Sequence, residues 1–115
     1  MKATRETFLN DMKMMFPNAV TLITKYSEGL LHCEVAVLRE YFEAALAKKK
    51  EWECEKILRY IGDLLPRADE ALENALLVSF LEDLALGDLS DEDKKLISQR
   101  APDNVLKLLR QHTKI

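Results

Sequence analysis

Apolar side chains recur every three or four positions along almost the whole chain, the period of helices with one buried face. Phe8, Leu9, Met12, Met15 and Phe16 set out a first amphipathic helix from about Thr4 to Phe16. Pro17 ends it, because proline offers no amide hydrogen and its ring clashes with the preceding turn. Asn18 then caps a shorter helix through Val20, Leu22, Ile23 and Tyr26, which Gly29 stops. From Leu30 to Lys50, the residues Leu31, Val35, Leu38, Phe42 and Leu46 form one stripe. Lys48, Lys49 and Lys50 suit the negative end of that helix's dipole. Trp52, Ile57, Leu58 and Ile61 carry the pattern on, with Gly62 and then Pro66 closing the element.

A fifth helix is expected from about Ala68 to Leu86, with Asp69, Glu70 and Glu73 at its positive N-terminal end. From Ala75 to Leu81 it is apolar on nearly every side apart from Ser79, as in a helix surrounded by others. Gly87 ends it. Ser90 caps the next helix, with Asp93 three positions on in a variant of the capping box, and that helix runs through Leu96 and Ile97 to Arg100. Pro102 starts a last one, whose apolar positions are Val105, Leu106, Leu108 and Leu109. The pattern therefore predicts an all-α fold. Residues 1–115 form a single domain of about seven short helices, arranged as antiparallel helical hairpins with short connections. A shift of 39 residues lays parts of the chain on itself: Leu38 on Leu77, Tyr41 on Phe80, Phe42 on Leu81, Glu43 on Glu82, Ile57 on Leu96 and Leu58 on Ile97. That period suits HEAT-like stacking of two hairpins, with an irregular helical bundle as the alternative.

Composition agrees with this picture and narrows the function. A chain of 115 residues, 48% apolar and 32% charged, buries a core without disulfides or metal. Three glycines and three prolines are too few for the turns of an all-β fold. The N-terminal MKATRETFLNDMKMM lacks the unbroken apolar run of a signal peptide, and no segment approaches a membrane span, so a cytoplasmic protein is expected. Cys33 and Cys54 form no CxxC and read as reduced thiols. Catalytic patterns are sparse. His32 and His112 stand apart, and Glu28 with His32 makes one pair of ligand spacing without a second. Gly29, Gly62 and Gly87 are isolated and form no phosphate loop. The expectation is a protein that is not an enzyme and has no cofactor and no metal site.

Charge changes the picture most. The net charge of −3 conceals a segment between Asp63 and Asp93 that holds ten of the twenty carboxylates and only Arg67 against them, a formal −9. The tail from Lys94 holds six Lys and Arg against Asp103, a formal +5. Nucleic acid is not the expected partner, since the acidic segment would repel phosphates. The tail reads instead as two helices folded back beside the acids. Most of the acids have a local reason. Asp69, Glu70 and Glu73 help one helix start, and Asp91, Glu92 and Asp93 help another. Glu82 and Asp83 do not: they stand in the last turn of the fifth helix, where negative charge opposes the dipole at roughly 0.3 kcal/mol or more each. Asp88 follows closely. Either Lys94 and Lys95 neutralise this group or a partner does, and a partner is the expectation adopted.

The run Val78-Ser79-Phe80-Leu81-Glu82-Asp83-Leu84, preceded by Tyr41-Phe42-Glu43 and Ile57-Leu58, resembles small all-helical bacterial immunity proteins of polymorphic and contact-dependent-inhibition toxin systems, over roughly residues 35 to 90. The resemblance implies a role, that of a cytoplasmic inhibitor made beside its toxin, and carries no binding residue onto this chain. The charge pattern fits a basic, nuclease-type toxin whose active site an acidic surface would mask. The residues expected to make that contact are Asp63, Asp69, Glu70, Glu73, Glu82, Asp83 and Asp88, with Asp91, Glu92 and Asp93. The alternative is a HEAT-like adaptor that holds a peptide or forms a homodimer.

Overall fold

The computed structural model describes residues 2–25 and 27–115. Among them the chain forms seven helices and no β-strand, as the periodicity predicts. These are α1 (Arg5–Met15), α2 (Pro17–Val20), α3 (Leu31–Ala47), α4 (Glu51–Leu64), α5 (residues 70–86), α6 (Asp91–Arg100) and α7 (Asp103–Leu109). A 3-10 turn, Leu65–Arg67, extends α4. Helix α5 is continuous but not uniform: it is α-helical over Glu70–Ala75, π-helical over Leu76–Glu82 and α-helical again over Asp83–Leu86. The radius of gyration, 13.1 Å, is that of one compact domain of this length, for which about 13 Å is expected.

Short polar side chains start the helices. Thr4 accepts from the Thr7 amide while Thr7 accepts from that of Thr4, a reciprocal cap on α1. Asp69 accepts from the Leu72 amide at 2.8 Å to cap α5, and Ser90 accepts from the Asp93 amide at 3.1 Å to cap α6. Pro17 ends α1 and also opens α2, since a first-turn residue has no use for an amide hydrogen. The longer second helix expected from Asn18 does not form. Asn18 lies inside α2, which stops at Val20; Leu22 is exposed and Ile23 half-buried, while Tyr26 lies outside the described residues. The β-branched run Val20, Thr21, Ile23 and Thr24 disfavours the helical state by restricting χ1. Two further expectations on α4 are corrected. Trp52, placed on the inward stripe, is 85% exposed. Gly62 does not close the helix but lies buried within it, where a Cβ would stand 2.5 Å from Cγ of Pro102.

Packing follows the 39-residue shift. That shift carries residues 31–47, all of α3, onto residues 70–86, all of α5, and the image of α4 contains α6. Four of the seven buried positions of α3 fall on buried positions of α5: Val37 on Leu76, Phe42 on Leu81, Ala45 on Leu84 and Leu46 on Ala85. Helices α3 and α5 lie side by side and parallel: His32 meets Asn74 and Ser79, Arg39 reaches Ser79 and Asp83, and the Phe42 and Phe80 rings are 5.7 Å apart. Helix α6 packs on α4, with Lys49 at Glu92 near one end and Gly62 against Pro102 just beyond the other. Helix α1 closes the core through Phe8, Met12 and the flanking Phe16, with Tyr60 of α4 beside both phenylalanines. The segment before α1 is pinned to the start of α5: Ala3 donates to the Arg67 carbonyl at 2.7 Å and its own carbonyl accepts from Asp69 at 2.8 Å.

Candidate functional site

The fold distributes the ten expected contact residues over three places. Asp63 lines a groove between α1, α4 and the start of α7, together with Arg59 and Arg67, and belongs to no acidic patch. Asp69, Glu70 and Glu73 occupy the N-terminal end of α5, where Asp69 is committed as the cap. Glu82, Asp83, Asp88, Asp91, Glu92 and Asp93 crowd the other end, where α5 stops and α6 begins. At ordinary helical rise α5 is about 25 Å long, so its two ends do not make one surface patch.

Parallel packing of α3 and α5 brings their C-terminal ends together, and this decides which acids are neutralised. Arg39 of α3 donates to Asp83 at 2.8 Å, to Glu43 at 3.1 Å and to the Ser79 carbonyl at 3.0 Å. Lys49, just past the end of α3, pairs with Glu92 and holds its carboxyl below the ordinary range. The basic tail plays no such part. Arg100 pairs with Glu51 of α4 at 2.9 Å, Arg110 donates to the Ile115 carbonyl, and Lys94 and Lys95 form no ion pair among the described residues. Helix α7 does fold back beside α5, but the residues it buries are Val105, Leu106 and Leu109. Among the described residues Glu70, Glu73, Glu82, Asp88, Asp91 and Asp93 form no ion pair.

Three polar arrangements lay outside the reach of sequence spacing. Glu34, on the buried side of α3 at 1% exposure, accepts two parallel bonds from Arg5 at 2.7 and 2.8 Å and a third from the Gly29 amide at 3.0 Å. The Arg5 hydrogen bonds outweigh the desolvation that burial imposes, and hold the Glu34 carboxyl below its ordinary pKa. The pair is 29 residues apart, so no local pattern announces it. The second is the groove containing Asp63, of about 880 Å³, whose rim carries the exposed Trp52 beside Lys56 and Arg59. The third is Ser79, nearly buried in the π-helical segment, whose hydroxyl lies 2.7 Å from Nδ1 of His32. Asn74 approaches the other ring nitrogen at 3.5 Å, and an amide NH2 only donates. The ring thus bridges the Ser79 hydroxyl and the Asn74 amide, with its tautomer deciding which of them donates to it.

Other reactive groups are muted. Burial pushes the Cys54 thiol up to about 11, with Glu53 adding to it, so it carries little thiolate at neutral pH. The Tyr60 hydroxyl is raised by burial first and then by Asp11, whose carboxylate accepts its hydrogen at 2.9 Å. Among the described residues no three His, Cys, Asp or Glu side chains are placed to hold a metal ion, and no helix is long and apolar enough to cross a membrane.

No curated protein and no solved structure matches the chain. A family model described as a domain of unknown function (DUF7674) matches residues 9–115, from within α1 to the end of the chain. The chain thus belongs to the DUF7674 family.

Proposed function

We propose that this protein is a non-enzymatic, cytoplasmic binding protein that neutralises a basic protein partner, in the manner of an immunity protein acting on a nuclease-type toxin. The observation that carries this reading is the set of carboxylates that form no ion pair among the described residues, above all Glu82: of the basic tail, Arg100 turns to Glu51 and Arg110 to the Ile115 carbonyl, and Lys94 and Lys95 pair with none of them. Negative charge near the end of α5 works against the helix dipole, and four acids without an ion pair among the described residues, Glu82, Asp88, Asp91 and Asp93, repel one another where α5 ends and α6 begins. A basic partner would relieve both costs and would be drawn in rapidly by the field.

The test is association with a basic toxin domain, sought among the products of the neighbouring genes. Binding should slow steeply as ionic strength rises, and Glu82→Lys should weaken it more than Glu6→Lys. Asp11 is a poor control, because it accepts the Tyr60 hydrogen bond. Equal effects of the two reversals, or no salt dependence, would remove the acidic surface from the account. A peptide-binding adaptor is the second reading, and the Trp52 groove favours it, since exposed tryptophan beside arginine is the composition of interface hot spots. Trp52 is the only tryptophan, so its emission distinguishes the two: a blue shift on binding supports the adaptor, and an unchanged spectrum supports the acidic face.

A further inference from the structure

The two parallel helices α3 and α5 occupy equivalent slots, and their outward chemistry differs at three equivalent positions. Glu34 corresponds to Glu73, Arg39 to Val78, and Glu43 to Glu82. In α3 both glutamates have cations: Arg5, reaching across from α1, holds Glu34, and Arg39 holds Glu43. The apolar residues between them, Val35, Leu38 and Phe42, are fully buried. In α5 the arginine is replaced by Val78, 38% exposed, and neither glutamate has an ion pair among the described residues. The row that covers this face of α3 has no counterpart over α5.

What stands there instead is an open surface formed by two adjoining grooves that share Asn74 and Leu77. One, of about 600 Å³, is lined by Glu70, Ala71 and Glu73; the other, of about 280 Å³, runs between α5 and α7 over Val78, Leu81 and Leu108 to Glu82. Gln111 and His112 complete the rim, and no lysine or arginine lines either groove. The surface therefore has an apolar centre with unpaired carboxylates at both ends.

We propose that this surface is the docking site for a basic amphipathic helix of the partner, an inference that rests on the basic-partner reading and localises it. Charge complementarity selects cations at both ends of the ligand, since Glu70 and Glu73 lie at one end and Glu82 at the other. The apolar floor selects a leucine-type stripe between them, read at the spacing of helix-in-groove recognition. Glu73 and Glu82 are nine residues apart, at most about 13 Å along a helix, so the partner's cations stand about two and a half turns apart. The molecule already contains the model for this contact: the start of α1 presents Arg5 to Glu34 in the equivalent place on α3. An extended strand is not the occupant, because the described residues offer no sheet edge for it to join.

The experiment uses the full chain and a labelled synthetic helix of about 14 residues, roughly four turns, with leucines in one stripe and lysines at both ends of it. A scrambled peptide of the same composition carries the same charge without the stripe. In anisotropy titrations the striped peptide should bind at least about tenfold more tightly than the scrambled one, a gap of about 1.4 kcal/mol. Val78→Asp should abolish that preference although it makes the surface more acidic, and the milder Val78→Ala should reduce it. Glu73→Lys with Glu82→Lys should abolish binding, whereas Asp88→Lys with Asp91→Lys should leave the preference intact. Circular dichroism confirms that each variant is folded, and Trp52 emission should not move. If both peptides bind equally and Val78→Asp has no effect, the docking groove is overturned while a purely electrostatic basic-partner reading survives. A shift in Trp52 emission also overturns it, by placing the peptide in the other groove. Absence of binding by either peptide overturns it too, and association with the toxin domain then judges the basic-partner reading separately.

Discussion

Helices α3 and α5 have the same length, lie 39 residues apart in register and share four buried positions, yet Glu34, Val35 and Leu38 are covered on one while Glu73, Asn74 and Leu77 are open on the other. Glu34 on α3 is enclosed with a bidentate arginine and a backbone amide, while its counterpart Glu73 faces solvent and forms no ion pair among the described residues. The same residue type in the same slot therefore does two different jobs. In α3 the carboxylate is a structural anchor that ties α1 and the loop before α3 to the core. In α5 it is part of an open surface that no lysine or arginine lines among the described residues. Whether a charge is structural or available for binding is decided by what the fold places opposite it, not by the run of charge in which it stands.

The comparison can be broken most severely at the contact that joins the two helices. Phe42→Ala or Phe80→Ala should each cost about 3–5 kcal/mol, since both rings are fully buried and face one another. In a double-mutant cycle the pair should show a coupling of about 0.5–1.5 kcal/mol in urea unfolding. Gly62→Ala comes next. Alanine gains up to about 1 kcal/mol in a helix interior, but the new methyl group would stand 2.5 Å from the Pro102 ring, and overpacking costs about 1–3 kcal/mol. The net change should be destabilising, and should be largest in probes of α7 rather than of α1.

Glu34→Gln against Glu73→Gln sharpens the contrast between equivalent positions. The folded-state pKa of Glu34 is depressed, so its ionised form contributes stability that is complete above the ordinary carboxylate range. That contribution is lost as pH falls from about 4.5 through the depressed value. Glu34→Gln should lower the melting temperature at pH 7 and flatten its decline over this acid window. Glu73→Gln should leave both within the scatter of surface substitutions, about 0.5 kcal/mol. A loss of stability at pH 7 from Glu73→Gln as large as that from Glu34→Gln would show that the open helix is not open.

Much of this architecture is written in the sequence. The three- and four-residue period marks every long helix, Ser90-x-x-Asp93 marks a start, and the shift that lays Leu38, Tyr41 and Phe42 on Leu77, Phe80 and Leu81 lays α3 on α5. Other features have no local signature. The Arg5–Glu34 pair spans 29 residues, and the parallel placement that brings Arg39 to Asp83 and Lys49 to Glu92 is a tertiary event. For that reason the excess of acid around Glu82 is legible from composition, but its partial neutralisation from α3 rather than from Lys94 and Lys95 is not. The π-helical turn over Leu76–Glu82 is likewise invisible, because the apolar residues there fit an α-helix surrounded by others equally well. Trp52 misleads in the opposite direction: a large aromatic in an amphipathic pattern reads as core, and here it lies on the rim of a groove.

The smallest expected effect on stability comes from Val78→Arg, which restores at α5 the arginine that α3 carries at the equivalent position. It should form a pair with Glu82 four residues on, worth about 0.3–0.5 kcal/mol. Its effect on binding is the most direct test that the carboxylates of α5 are left for a partner. With the striped basic peptide as ligand, Val78→Arg should weaken binding at least about tenfold while leaving the melting temperature unchanged or slightly raised. Binding of undiminished affinity to this variant would contradict the account.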